Sequence, residues 1–396
     1  MDKGRAALNI TAPENHVLDI WMREDGFAVP AAKTVPDPSP KKIVEPVIFF
    51  LCAVLMFACT RTPPPENYPG IVQSIIETFE SRSSELNHYR LGHFYERLYR
   101  ISGEPRYRVP LRKYSVTLAQ TFRIQAENLQ NAEFVRARED RLLTPSPNAS
   151  EKILRRIAHR KKWRGMLFAN RLLFRAFQVK SYGLDKSALH ENYETAMAWF
   201  RSLPFEDYLF DPGNILSDAS HTVNAVFYLK FLGIADYEDP FTRAFKQAFP
   251  DAADASLDKT AYLNKIYGLT HFIIADSQFY QRKPDAAKHA WVLEYFAGHY
   301  DTIEARTNPD LLAELAICFK LAGQKNHPVV RRVQKYLAAA FDPKRGLIPS
   351  TLPDKSLNGL EHRNIVAVIA LSGFDELFPG PLNEKLAARP AGAHRS

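Results

Sequence analysis

The chain has 396 residues and a net charge of +8, with 46% hydrophobic and 24% charged residues, which suits a folded protein with a large core. Its 17 glycines against 27 prolines, with no GxGxxG and no P-loop spacing, exclude a Rossmann or P-loop nucleotide cradle. Three cysteines, Cys52, Cys59 and Cys318, exclude a disulfide framework or a cysteine-based metal site in the folded part.

In chain order, residues 1–40 come first, with Pro30, Pro36, Pro38 and Pro40, and read as a disordered tail. Residues 41–60 read as a signal or membrane-anchor segment. Lys41 and Lys42 precede an apolar run from Val47 to Ala58, which Cys59 ends. The run has the length of a signal-peptide core and is short for a spanning helix. The lysines, the run and Met56-Phe57-Ala58-Cys59 resemble a bacterial lipoprotein signal with Cys59 as the lipidated residue, although Phe57 departs from the small residue usual there. An uncleaved transmembrane anchor from about Ile43 is the alternative. Both readings keep the lysine side in the cytoplasm and export the body to the periplasm or envelope. Residues 61–69, with Pro63-Pro64-Pro65, read as a stiff tether.

Residues 70–380 are predicted to be one all-α domain, followed by a flexible tail over 381–396. Val72, Ile75, Ile76 and Phe79 mark one helix face. A second helix runs from Leu86 to Ile101 and stops at Gly103, and a third starts at Pro110 or Leu111 and ends near Leu129. The stretch 152–175 is basic, with Lys152, Arg155, Arg156, Arg160, Lys161, Lys162, Arg164, Arg171 and Arg175, and reads as a solvated helix face, with a phosphate or anionic-polymer footprint as the alternative. No nucleic-acid motif accompanies it, so no nucleic-acid partner is expected. In the second half Pro240, Pro284 and Pro328 recur 44 residues apart, each predicted to open a helix. Such a period signals stacked helical hairpins. Six segments fit an inner helix followed by a stop: 86–103, 155–183, 215–233, 262–281, 309–323 and 360–373. These inner helices are apolar nearly all round, so an α/α toroid of about six hairpins is expected rather than an open solenoid.

Polar residues on those inner helices fall at corresponding places. They are His221 with Asn224, Tyr267 with His271, Asp310 with Glu314, and Glu361 with His362 and Asn364. A toroid would gather them at one end of its cavity as imidazoles, a phenol, carboxylates and an amide, suited to general acid–base chemistry on a polar substrate. Tyr267, His271, Glu314 and His362 are the catalytic candidates. His221, Asn224, Arg363 and Asn364 are the binding candidates. Each has a plainer reading: Asp310 and Glu361 as first-turn acids complementing a helix dipole, His271 as a hydrogen-bonded core residue. Glu314 is the strongest, because a buried carboxylate costs several kcal/mol unless paired. No HExxH or other local ligand spacing supports a metal, and the sequence names no cofactor.

Three stretches carry a family likeness: Asn87–Arg100, Asn264–Gln281 and Gly359–Ala367. They resemble a bacterial family of domains of unknown function, serial thirty-five forty-one, over about residues 70–375. The resemblance implies an exported protein and supplies no catalytic residues. By fold alone the pattern is similar to α/α-toroid polysaccharide lyases, epimerases and lanthionine-synthetase-type proteins. Two functions are therefore expected. One is an envelope-anchored enzyme on a carbohydrate or other polar polymer, with His271 as base, Tyr267 as acid, Glu314 orienting a histidine, and Arg363 or Asn364 neutralising a substrate carboxylate. The alternative is a non-catalytic lipoprotein that binds a ligand or partner.

Overall fold

The structure, a computed structural model, describes residues 67–145, 151–350 and 356–381. Residues 41–60, expected above to be a signal or anchor segment, lie outside the described residues, Cys59 with them. Sixteen α-helices occur within them: α1 (Tyr68–Ser81), α2 (His88–Ser102), α3 (Arg108–Glu127), α4 (Ala132–Leu143), α5 (Glu151–Arg160), α6 (Met166–Ser181), α7 (His190–Arg201), α8 (Phe205–Phe210), α9 (Pro212–Leu232), α10 (Glu238–Ala248), α11 (Lys259–Asp276), α12 (Ala290–Gly298), α13 (Tyr300–Arg306), α14 (Pro309–Leu321), α15 (Pro328–Ala340) and α16 (Leu357–Leu371). The chain is all-α. Among the described residues the only extended pairing is one antiparallel bridge, Asp342 with Leu347.

Local chemistry explains where the long helices begin. Asn87, Asp211, Asp258, Asn308 and Ser356 each accept a backbone N–H from the first turn of α2, α9, α11, α14 and α16. Such a cap stabilises a helix by about 1 kcal/mol. α6 has no cap of its own. Glu139 of α4 supplies one across space, its carboxylate accepting Gly165 N at 2.7 Å and Phe168 N at 3.1 Å. Gly103 and Gly233 end α2 and α9 in the left-handed conformation, with φ of 68° and 73°.

Helices α2, α6, α9, α11, α14 and α16 form the buried set. α2 packs on α16, α16 on α14, α14 on α11, α11 on α9, and α9 on α6. α3 packs on both α6 and α2 and so completes a circuit. Every residue of α14 from Asp310 to Leu321 is buried, and full burial of one leucine there stabilises by roughly 1.5–3 kcal/mol. The other helices pack outside: α15 on α14 and α16, α10 on α9, α7 on α3 and α6.

Three expectations are corrected. The segment 155–183 is not one helix; it breaks between α5 and α6 at Gly165, whose φ is 93°. Pro284 does not open a helix, because residues 277–289 form a long turn and α12 begins at Ala290. That turn carries Gln278, Phe279 and Tyr280 at φ of 54°, 56° and 73°, three consecutive non-glycine residues in the left-handed region. The basic stretch is not simply a solvated face. Lys161 and Lys162 are exposed, but Arg156 and Arg160 are buried against Asp218.

Candidate functional site

Inner helices deliver polar side chains to one cluster. His271 of α11 donates from Nδ1 to Asn224 Oδ1 of α9 at 2.7 Å. An amide oxygen only accepts, so the proton sits on Nδ1 and the lone pair stays on Nε2. Nε2 lies 3.9 Å from Glu314 Oε2. Glu314, on α14, also accepts the Thr270 hydroxyl at 2.8 Å and faces His362 Nε2 of α16 at 3.3 Å. The His362 ring lies 5.7 Å from that of His93 on α2. His93 Nδ1 is 2.7 Å from Glu361 Oε1, whose second oxygen accepts Arg90 Nη1 at 3.1 Å. Two histidine–carboxylate pairs thus stand side by side.

The electrostatics follow from burial and neighbours. Burial pushes the His271 imidazole down to about 4, although Glu314 pulls the other way, and His221, His362 and Arg97 add to the fall. His271 is therefore neutral at ordinary pH. Burial works to raise the Glu314 carboxyl, but the His362 hydrogen bond, the charges of His271 and His362, and the Thr270 hydroxyl outweigh it and hold it below its usual range. Glu361 goes the opposite way: its burial wins over Arg90, His362 and Arg97 and raises it.

The cluster adjoins a cavity of about 330 Å³ walled by α2, α3, α4, α6 and α9. His221 and Asn224 both line it. His221 Nδ1 lies 2.9 Å from Asp218 Oδ1, at a kink in α9 where Asp218 leaves helical geometry. Burial acts to raise Asp218, yet Arg156, Arg160 and His221 hold it well below the carboxylate range.

Of the sequence candidates, Asn224, His271, Glu314 and His362 come together, with His221 at the cavity wall. Tyr267 is half-buried on the His271 face of α11, one turn earlier. Arg363 and Asn364 are not part of the cluster. Arg363 is buried, donating to Asp310 Oδ1 at 2.5 Å and to the Pro349 carbonyl at 2.8 Å. Asn364 clamps the backbone of Ile348 on both sides. Neither is placed to neutralise a substrate carboxylate at the cluster. Sequence reasoning did not single out His93, Arg90 or Arg97. Their signal was present in Tyr-Arg-Leu-Gly-His-Phe-Tyr-Glu-Arg, where charged and imidazole groups interrupt an apolar helix. Among the described residues, no three His, Cys, Asp or Glu side chains are grouped to hold a metal ion.

The arrangement can take up and return protons. His271 Nε2 offers a lone pair, Glu314 stabilises the imidazolium that protonation creates, and His362 lies on the far oxygen of the same carboxylate. A family model described as a domain of unknown function, DUF3541, matches residues 70–390, and the chain belongs to that family. No curated protein and no solved structure matches it.

Proposed function

We propose that this chain is an envelope-anchored α/α toroid enzyme that performs general acid–base chemistry on a carbohydrate or similar polar polymer. The circuit of α2, α16, α14, α11, α9, α6 and α3 supports the toroid reading over residues 70–380. One observation carries the chemistry: the chain Asn224–His271–Glu314–His362 ends on a cavity wall rather than in dry core. In this reading His271 Nε2 is the base and Glu314 orients and stabilises it. Tyr267, one helical turn from His271, is the acid. No helix of the described residues is long and apolar enough to cross a membrane. Anchoring therefore rests on Lys41, Lys42, the run 47–58 and Cys59, with the tail 1–40 on the cytoplasmic side and the tether 61–69 leading to the exported body.

The test of the chemistry is turnover of a panel of neutral and acidic polysaccharides, read as new reducing ends or new unsaturated products. His271→Ala and Glu314→Gln should each lower turnover by roughly 10²-fold or more, the scale of a lost acid–base group. Unchanged turnover in His271→Ala overturns the assignment. Binding of a polymer without turnover transfers the cavity to a non-catalytic binding role. For the anchor, labelled palmitate should enter the wild type and not Cys59→Ser. Incorporation that persists in the variant refutes the lipoprotein form.

A further inference from the structure

The cavity beside the acid–base cluster contains a cation without a counter-charge. Arg175 extends from α6 to line it, and no carboxylate lies within ion-pair reach of its guanidinium among the described residues. Burial brings its pKa down to about 10, against some help from Tyr114, and Arg138 lowers it further. The neighbouring Arg160, by contrast, pairs with Asp218.

A second observation is independent of charge. Four buried polar atoms lining the same cavity have no protein partner: His88 Nε2, Gln125 Oε1, Asn170 Oδ1 and Tyr228 Oη. Gln125 is 2% exposed and Tyr228 5%. A buried polar group left unpaired is costly, and native proteins keep few of them. Here they line one cavity, from four helices, together with an uncompensated arginine.

We infer that this cavity binds a sugar acid, a ligand whose carboxylate sits on Arg175 and whose hydroxyls meet the four polar atoms. The donor–acceptor count selects that class. Arg175 asks for an anion that accepts two N–H bonds, a carboxylate or a phosphate. Gln125 Oε1 and Asn170 Oδ1 only accept, so they require ligand O–H donors. Sulfate has none to offer, and the hydrogen phosphate of neutral solution has only one or two. Tyr228 and His88 can serve either role. The volume lies at the small end of ligand pockets, which span about 300–1,000 Å³. The inference deepens and rests on the acid–base reading, because Asn224, which holds His271, belongs to the same cavity.

The experiment is calorimetric titration of the purified full chain with D-glucuronate and D-galacturonate, beside glucose and inorganic phosphate. At least one uronate should bind, with glucose weaker. Arg175→Gln should weaken uronate binding by roughly 10- to 100-fold, the worth of a charge-assisted hydrogen bond, and leave glucose unchanged. Arg175→Lys, which keeps the charge but loses the fork, should recover part of the affinity. Thermal melts like wild type establish that both variants are folded. Uronate binding without turnover in wild type would remove the acid–base reading and leave the sugar-acid site standing. Three results overturn the inference itself: neither uronate binds wild type, a folded Arg175→Gln binds uronate undiminished, or phosphate binds as tightly as the uronates.

Discussion

The two sides of the inner circuit treat buried polarity differently. Where α2, α11, α14 and α16 meet, charge is answered by charge or by a hydrogen bond. Glu314 faces Thr270 and His362, Glu361 faces Arg90 and His93, and Asp310 faces Arg363. Around the cavity where α3, α6 and α9 meet the start of α2, Arg175 lacks an acid and four polar atoms, the His88 Nε2 of α2 among them, lack partners. In the first region each of these charges has its answer within the protein, whereas in the second the answering groups would come from the ligand inferred above, and the His271–Asn224 bond joins the two.

Breaking the satisfied side should have the largest effect. Glu361→Ala would strand the buried Arg90 and remove the His93 partner, and should destabilise by about 3–5 kcal/mol in denaturant melts. A loss below about 1 kcal/mol, the scale of an exposed pair, would show that water reaches it freely. Next comes pH. The folded state depresses His271 from 6.5 to about 4, so unfolded chains bind the extra proton first as pH falls. Stability is therefore fully present above about pH 6.5 and is lost as pH falls towards 4, by at most about 3 kcal/mol. Protonation of Glu314 deepens that loss at the acid end, while Glu361 opposes it. Melts across this range should show the slope in wild type and a flatter one in His271→Gln.

Smaller again is His271→Ala at neutral pH. It leaves Asn224 Oδ1 without its donor and should cost roughly 1–3 kcal/mol. On the unsatisfied side the sign should change. Tyr228→Phe removes a hydroxyl that has no protein partner and should be neutral or stabilising by up to about 1 kcal/mol, because a desolvated group is deleted with nothing left behind. A clear destabilisation by Tyr228→Phe would erase the contrast between the two regions.

The hairpin plan was legible because its signals are local. Gly103 and Gly233 stop helices, Pro328 starts one, and Asn308 or Ser356 caps one, each within a turn of its effect. Pro284 misled because the same proline that suits a helix start also suits a turn, and here Asp276 and His289 pair at 2.8 Å across the loop and hold it as one. The break at Gly165 was hidden because its cap comes from Glu139, on another helix. Lone polar residues on apolar helices pointed to Asn224, His271, Glu314 and His362. The same signal marked Arg363 and Asn364, whose partners Pro349 and Ile348 lie on an irregular loop that periodicity does not place. Arg175, within Leu-Leu-Phe-Arg-Ala-Phe, carried that signal too but was read as part of a charge run.

The left-handed turn at Gln278, Phe279 and Tyr280 has a consequence for the order in which the protein assembles. Glycine would hold that backbone with less strain, yet the chain places two aromatic rings there. The Phe279 ring meets Phe177 of α6 and Tyr228 of α9, and its carbonyl accepts Arg100 of α2 at 3.0 Å. Segments up to 179 positions apart must already be in register before this turn has anything to grip. It is therefore a late event in folding, a knot tied only after the rope is laid. In hydrogen exchange the amides of Phe279 and Tyr280, bonded to Ile274 O and Ser277 Oγ, should open before those of the buried helices, because what forms last opens first.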